Sequence, residues 1–143
     1  MAPLPATVKI VPANFSTSPA VQSLKIDGTV TGGLAWALNG SSLPNNSKIT
    51  INAGDTITFG VQSGTHGITF LDKAQAQQVF DFGAGVPFQP QPNIIPNTPN
   101  AWGTPGRPAG TTLATLTVKS NTGGVTSVPF ICTIHKTAMA GTF

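Results

Sequence analysis

Apolar and polar residues alternate along several short stretches of the chain, which is the pattern of a β-strand with one buried face. Residues 48–52 alternate in this way, a turn follows at Ala53-Gly54-Asp55, and residues 56–61 alternate again. Successive side chains of a strand point to opposite faces, so the two stretches predict two half-buried strands. Five further candidates are rich in Thr, Val, Ile and Phe. They are residues 7–11, 24–30, 66–71, 111–119 and 127–134.

Only residues 73–79 have the composition of a helix, and a helix of that length needs support from tertiary packing. About seven strands in a chain of 143 residues predict an all-β, antiparallel sandwich or barrel. No internal repeat is visible. The length is that of a single domain, spanning residues 1–143, because a chain this short has no room for a second core of useful size.

Residues 83–110 follow neither period and contain seven prolines among Asn, Gln and Gly. A loop of this length is usually functional or disordered. It can be an ordered flap that carries Phe88, Ile94, Ile95 and Trp102 against the body, which would keep these apolar groups from solvent. It can equally be a mobile insertion without a role.

The composition agrees with strands and loops. Only 8% of the residues are charged, and all four acids are Asp, so the Glu and Lys of long solvated helices are missing. The net charge of +3 comes from seven cations scattered along the chain, which is not the clustered pattern of a nucleic-acid-binding surface. No apolar stretch approaches the roughly 20 residues of a membrane span. The single Cys excludes an internal disulfide.

The residues with metal-binding chemistry are few and concentrated. The chain has two His, one Cys and, apart from Met1, one Met. Cys132, His135 and Met139 lie in a single octapeptide, and His66 lies far upstream. Strand alternation places His66 on the face of Ile68, and Cys132 on the face of Phe130. Both side chains are therefore predicted to point toward the core near strand ends.

One thiolate, two imidazoles and a weak thioether are the donors of a trigonal copper site with a long axial bond. Zinc fits less well, because structural zinc sites prefer four Cys or His ligands. The spacing Cys-x2-His-x3-Met lets a tight loop at the end of a strand bring three side chains round one ion. The distant His66 would complete the set, so the predicted metal ligands are His66, Cys132, His135 and Met139.

The chain resembles the cupredoxins, the small type 1 blue copper proteins that include plastocyanin, pseudoazurin and amicyanin. The resemblance rests on residues 51–59, on His66 with residues 68–70 behind it, and on the loop from Cys132 to Met139. It implies a Greek-key β-sandwich of about seven or eight strands. It also implies one type 1 copper per chain, blue or green, held by the four residues named above. The implied function is electron transfer between Cu(II) and Cu(I), without enzymatic activity.

The resemblance further implies that His135 reaches the surface and is the exit for the electron. Transient redox partners, such as a cytochrome, an oxidase or a reductase, would dock around it, and the protein would be a monomer. It would be periplasmic or otherwise exported. The first residues lack the basic start and apolar middle of a signal peptide, so we expect that the targeting segment has been removed.

Three features depart from the family pattern. Three residues separate His135 from Met139, a spacing between those of amicyanin and plastocyanin. Gly67 follows the first His where many relatives carry Asn or Ser, whose side chain holds the Cys loop, so this hydrogen bond must be replaced or lost. Only four residues follow Met139, which predicts that the usual closing strand is very short or missing.

Other functions remain open at this stage. Cys132 and His135 could form a nucleophile pair, since an imidazole near a thiol can lower its pKa, but such a pair leaves Met139 and His66 unexplained. The protein could bind copper for storage or delivery, or be the cupredoxin domain of a larger copper oxidoreductase. A metal-free interaction module on a β-sandwich is a further alternative.

Overall fold

The strands pair into two six-stranded sheets that pack face to face, with a small two-stranded sheet at one end. The computed structural model describes residues 21–143. In chain order the elements are β1 (Ser23–Thr29), β2 (Ala35–Leu38), β3 (Ser41–Ser42), β4 (Ser47–Lys48), β5 (Thr56–Val61), β6 (Thr65–His66), β7 (Ile68–Phe70), α1 (Lys73–Val79), β8 (Phe80–Phe82), β9 (Gln89–Pro90), β10 (Trp102–Gly103), β11 (Arg107–Pro108), β12 (Thr112–Val118), β13 (Pro129–Cys132) and β14 (Lys136–Thr142). This architecture confirms the predicted all-β sandwich.

The first sheet has the order β3-β2-β1-β5-β12-β8, and the second has the order β4-β14-β13-β7-β10-β9. Most neighbours are antiparallel. The exceptions are β1 with β5 and β14 with β4, which are parallel. In each exception a crossover brings together strands that are distant in the chain, so these two pairs depart from the antiparallel pairing that was predicted.

Several predicted elements match the structure closely. Strand β5 and helix α1 have the predicted bounds, and Asp72 caps the helix by accepting a 3.1 Å hydrogen bond from the Gln75 N–H. Of the predicted strand 48–52, only Lys48 lies in a strand, β4 (Ser47–Lys48). Ile49 and Ile51 are nevertheless buried, as the alternation predicted. The predicted strand 7–11 lies outside the described residues. For the same reason the assignment of all 143 residues to one domain stays a prediction.

The expectation of a very short or missing closing strand was wrong. Strand β14 runs over seven residues, begins right after the His135 turn and includes Met139 itself. It pairs antiparallel with β13 on one side and parallel with β4 on the other. The strand is weakly indicated by its residues, because Lys136 to Thr142 contains no residue with high strand propensity except Thr. Pairing to two neighbours supplies what propensity lacks.

Aromatic rings from both sheets meet at the centre of the sandwich. The ring centroid of Phe130 lies 4.9 Å from that of Phe143, 5.2 Å from that of Phe59 and 5.8 Å from that of Trp36. Most of these contacts are edge-to-face, the arrangement that aromatic quadrupoles favour. Since Cys132 follows Phe130 by two residues on the same strand face, the core holds the strand that carries the thiol.

The proline-rich segment 83–110 packs against the body at two places. Phe88 and Trp102 lie with ring centroids 4.7 Å apart and join the core through Phe70 and Phe82. Ile94 and Ala101 form a second small cluster with Ile131, against which Ile95 packs. Two short strands of the segment also pair with the rest of the molecule, β10 with β7 and β11 with β6. The third, β9, pairs with β10 and so extends the edge of the sheet.

Within residues 21–143, no helix combines the length and the apolar character required to cross a membrane.

Replacing Phe130 by Ala should destabilise the fold by about 3–5 kcal/mol, because the side chain is 1% exposed and its removal leaves a cavity among packed rings. Chemical denaturation monitored by Trp fluorescence would measure the change. Phe88→Ala is the matched control, since Phe88 is only partly buried at the sheet edge and should cost less. Equal losses in the two variants would contradict a core centred on Phe130.

Candidate metal centre

His66 lies in β6, in the stretch of chain that connects β5 to β7, and its side chain is fully buried. The ring packs directly against the backbone of Gly28 in β1. A Cβ at position 28 would lie 2.5–2.8 Å from three atoms of the His66 side chain, so only glycine leaves room for the imidazole. An isolated Gly inside a strand pattern indicates such a close approach, and Gly28 in the predicted strand 24–30 was a signal that could have been used.

The orientation of the His66 ring follows from one hydrogen bond. Its Nε2 lies 2.8 Å from the carbonyl oxygen of Ser63. A carbonyl can only accept, so Nε2 carries the proton and Nδ1 presents its lone pair to the site. Burial lowers the pKa of His66 below its ordinary value and the charge of His135 adds to this, while the bond to Ser63 opposes it. A neutral imidazole with a free Nδ1 is the form that binds a metal.

Cys132 ends β13, and its side chain is also fully buried. A tight turn follows, in which the backbone N–H of His135 points to the Cys132 sulfur at 3.4 Å. The N–H of Thr133 donates to the Gly67 carbonyl at 3.1 Å, so the turn is held beside the strand of His66. Lys136 then reverses the chain with a positive φ of 54°, which is uncommon outside glycine, and β14 begins.

Both imidazoles lie close to the sulfur. Nδ1 of His66 is 3.6 Å from Sγ of Cys132, and Nδ1 of His135 is 3.5 Å from it. All three donor atoms lie within 4.8 Å of one another. Two ligands of one ion, each about 2.0–2.3 Å from it, lie at most about 4.6 Å apart, and both sulfur–nitrogen distances are within that limit.

The donor chemistry fits copper. A thiol and two Nδ1 atoms at mutual contact distance match the His2Cys set of an electron-transfer copper site, whereas they leave a structural zinc site one ligand short. Among the described residues no carboxylate joins this group, and the nearest charged neighbour in sequence is Lys136. The sequence-predicted His66, Cys132 and His135 are thus brought together by the fold; their role as ligands stays a prediction.

Met139 lies in the hydrophobic core, in the strand that follows the His135 turn. It is buried in β14, in the hydrophobic core cluster that also contains Cys132. A register irregularity between Ile131 and Cys132 places residues 137–139 between the partner of Ile131, Ala140, and the partner of Cys132, Lys136. This brings the backbone of Met139 beside the end of β13, and its role as a copper ligand stays a prediction.

Trp36 holds the Met139 backbone, a contact that no pattern in the sequence predicts. Its indole Nε1–H donates to the carbonyl oxygen of Met139 at 3.0 Å, and its ring centroid lies 6.3 Å from that of His66. The residue lies in β2, a strand that the sequence pattern did not predict. One buried side chain therefore contacts the aromatic core, the strand of Met139 and the surroundings of the first His.

The fold and the site can now be set beside known proteins. No family model matches the chain, and no curated protein matches it. A solved structure of auracyanin B aligns over 92% of this chain and 94% of its own length, with 16% sequence identity and a TM-score of 0.39. Because a likeness of that size carries no argument, the fold and the site rest on this chain's own geometry.

The two-sheet sandwich and the convergence of His66, Cys132 and His135 agree with what the resemblance to the cupredoxins implies.

Replacing Gly28 by Ala should weaken metal binding at least tenfold, the order of effect that outer-shell changes have, because the added Cβ must push the His66 ring away from Cys132. Competition titrations of Cu(I) against a chelator would measure it. Gly83→Ala is the control, since the Cβ there comes no closer than 3.3 Å to any atom and the residue lies away from the site. Unchanged affinity in the Gly28 variant would show that His66 is not a ligand.

Proposed function

We propose that the protein is an electron carrier with one type 1 copper, held by His66, Cys132 and His135 with Met139 as a weak axial ligand. The observation that supports this most is the convergence of one thiol and two imidazole Nδ1 atoms within 4.8 Å of one another. Bound copper would supply the exchange of a single electron between Cu(II) and Cu(I).

The residues around the site support this proposal through burial and rigidity. Cys132 and His66 have no exposed surface, so water is kept from the sulfur and from one of the imidazoles. The Ser63 carbonyl fixes the tautomer of His66, and the His135 N–H points to the sulfur, where it would stabilise a thiolate. Ligands held in place by a packed sandwich would move little when the charge of the site changes, which favours fast transfer.

His135 is proposed as the exit for the electron. Unlike the other two residues of the group, it is only partly buried. Ile134, the residue before His135, is 47% exposed. Val30 lies beside Gly64 at the His66 end, and Leu34 lines a small cavity with Met139; both are exposed at 42–43%. Of the four exposed large apolar residues in residues 21–143, three therefore lie around the site.

Such an apolar end would suit brief encounters with a redox partner, because transient redox complexes use small interfaces. The proposed partners are a cytochrome, an oxidase or a reductase that docks near His135. Lys136 beside it is exposed and adds one positive charge. We also propose that the protein acts as a monomer. We propose further that it is exported to a compartment in which a copper carrier would meet such partners.

A nucleophilic Cys–His pair is disfavoured by burial. A catalytic thiol must reach a substrate, and reactive cysteines lie in partly exposed surroundings. Cys132 has no exposed surface, and its sulfur is surrounded by both imidazoles and a backbone N–H. The site therefore supports a bound ion better than it supports covalent catalysis. A protein for copper storage or delivery would use the same ligands, so only an experiment can distinguish that function from electron transfer.

Titration of the metal-free protein with Cu(II) should give one equivalent of tight binding and an intense sulfur-to-copper charge-transfer band in the visible spectrum. EPR should show the narrow hyperfine splitting of a thiolate-bound copper. Cys132→Ser should abolish the band, because it removes the thiolate, while Thr50→Ser should leave the band intact. A colourless complex with an ordinary tetragonal EPR signal would overturn the proposal.

Voltammetry of the same sample then separates the carrier from a delivery protein. A reversible couple with fast electron self-exchange is expected for the carrier, because the ligands stay in place in both oxidation states. Irreversible waves with easy loss of Cu(I) to a chelator would instead favour storage or delivery.

Met139→Leu should keep the copper and the thiolate band but raise the reduction potential, since loss of a thioether donor destabilises Cu(II) more than Cu(I). Leu conserves volume, so the fold should lose less than about 1.5 kcal/mol. The potential is measured by redox titration, and Leu116→Met, a volume-conserving change at a buried core position of β12, is the control. A potential that stays the same in Met139→Leu would show that Met139 is not an axial ligand.

A further inference from the structure

The position after His66 is glycine, and the space beside it is already filled. A Cβ on Gly67 would lie 2.7 Å from Oγ1 of Thr133. It would also lie 2.6 Å from the carbonyl oxygen of Pro105 and 2.8 Å from that of Thr104. A side chain at position 67 therefore has no room to hold the Cys132 turn. The backbone of the proline-rich segment takes its place.

A chain of hydroxyl groups connects this segment to the turn. The Thr133 hydroxyl donates to the Thr104 carbonyl oxygen at 2.7 Å. The hydroxyl oxygens of Thr69 and Thr133 are also 2.7 Å apart. A hydroxyl has a single proton, and that of Thr133 is used on Thr104. Thr69 must therefore donate to Thr133, and the direction runs from Thr69 through Thr133 to Thr104.

Thr104 is in turn fixed to the strand that follows His66. Its N–H donates to the Ile68 carbonyl at 2.9 Å, and its hydroxyl accepts from the Ile68 N–H at 3.2 Å. Thr69 and Thr104 have no exposed surface, so water cannot replace a lost partner at either residue. Gly103 allows the close approach, because a Cβ there would lie 2.2 Å from the Thr69 hydroxyl.

The same segment also pairs with the strand of His66 itself. Arg107 of β11 is the ladder partner of His66, and Pro108 is the partner of Thr65. The segment thus reaches both halves of the metal-ligating group: the His66 strand through β11, and the Cys132 turn through Thr104.

We propose that Thr69, Thr133 and the Thr104 backbone position the Cys132–His135 turn, doing the work that a side chain at position 67 cannot do. The proline-rich segment is by this proposal a part of the metal centre. Thr133 is then tied at two points, through its hydroxyl and through its N–H on Gly67. With Thr133 fixed, the Cys132 sulfur before it and the His135 N–H after it keep their mutual geometry. The inference rests on the proposed function in one respect only, which is that the bound metal is copper.

Thr133→Val is the decisive variant because it keeps the shape and removes the hydroxyl. The Thr69 hydroxyl then loses its acceptor and the Thr104 carbonyl loses its donor, both out of reach of water. In the metal-free protein, amide hydrogen exchange at Thr133 and His135 should become about tenfold faster, because one hydrogen bond no longer opposes local opening. Thr133→Ser restores the hydroxyl and should restore the protection.

In the copper-loaded protein, Thr133→Val should broaden the charge-transfer band and the EPR hyperfine lines and shift the reduction potential. Electron self-exchange should slow, since the ligands move more when the charge changes. Thr50→Val is the matched control: among the described residues, the Thr50 hydroxyl is buried without a hydrogen-bond partner, so its removal breaks no network. A general loss of stability alone would move neither spectrum nor potential.

Gly67→Ala tests the same positioning of the turn without removing a hydroxyl. It replaces Thr133→Val in the experiment if that variant does not fold. Its Cβ must displace the Thr104–Pro105 backbone from the turn, so it should reproduce the faster exchange. Exchange rates in Thr133→Val and Gly67→Ala that equal those of Thr133→Ser would overturn the inference. A wild-type protein without the sulfur-to-copper band would overturn the proposed function instead, and the metal-free exchange would still decide the role of the threonines.

Discussion

The constraint on which the rest of the structure depends is the burial of the Cys132 sulfur between two imidazoles. The sulfur has no exposed surface and meets His66 and His135 at 3.5–3.6 Å, because Cys132 is paired with Ile68, two residues after His66, and the turn that follows Cys132 carries His135. Strand β13 carries the thiol, and the chain between β5 and β7 carries His66. Buried polar groups need partners, so the Ser63 carbonyl and the His135 N–H complete the arrangement.

The aromatic core and the His66–Cys132–His135 group are one packed unit. Phe130 lies among rings of both sheets and is two residues from Cys132, so a shift of the core would shift the thiol. Trp36 adds a second connection, because its ring packs on Phe59 and Phe130 while its N–H holds the Met139 carbonyl. Dense packing resists small displacements, which is the property that a site for rapid electron exchange requires.

Sequence and structure agree best where a single strand or a short spacing decides the result. The alternation in residues 56–61 predicted β5 with the right bounds, and the set of two His and one Cys predicted the group that the fold brings together. Prediction was poorest where a contact from elsewhere decides. Strands β2 and β14 have little propensity of their own and are held by neighbours, and the functions of Gly28 and Trp36 depend on residues far away in the chain.

The sequence by itself determined the all-β class, the residue types of the candidate site and the short loop that carries Cys132 and His135, because these depend on composition and local spacing. Only the tertiary structure decided which His66 nitrogen faces the sulfur, how the turn is held without a side chain at Gly67, and where residues 83–110 pack. The reason is physical. Propensity and alternation act between residues close in the chain, whereas the Thr104–Thr133 and Trp36–Met139 bonds join residues 29 and 103 positions apart.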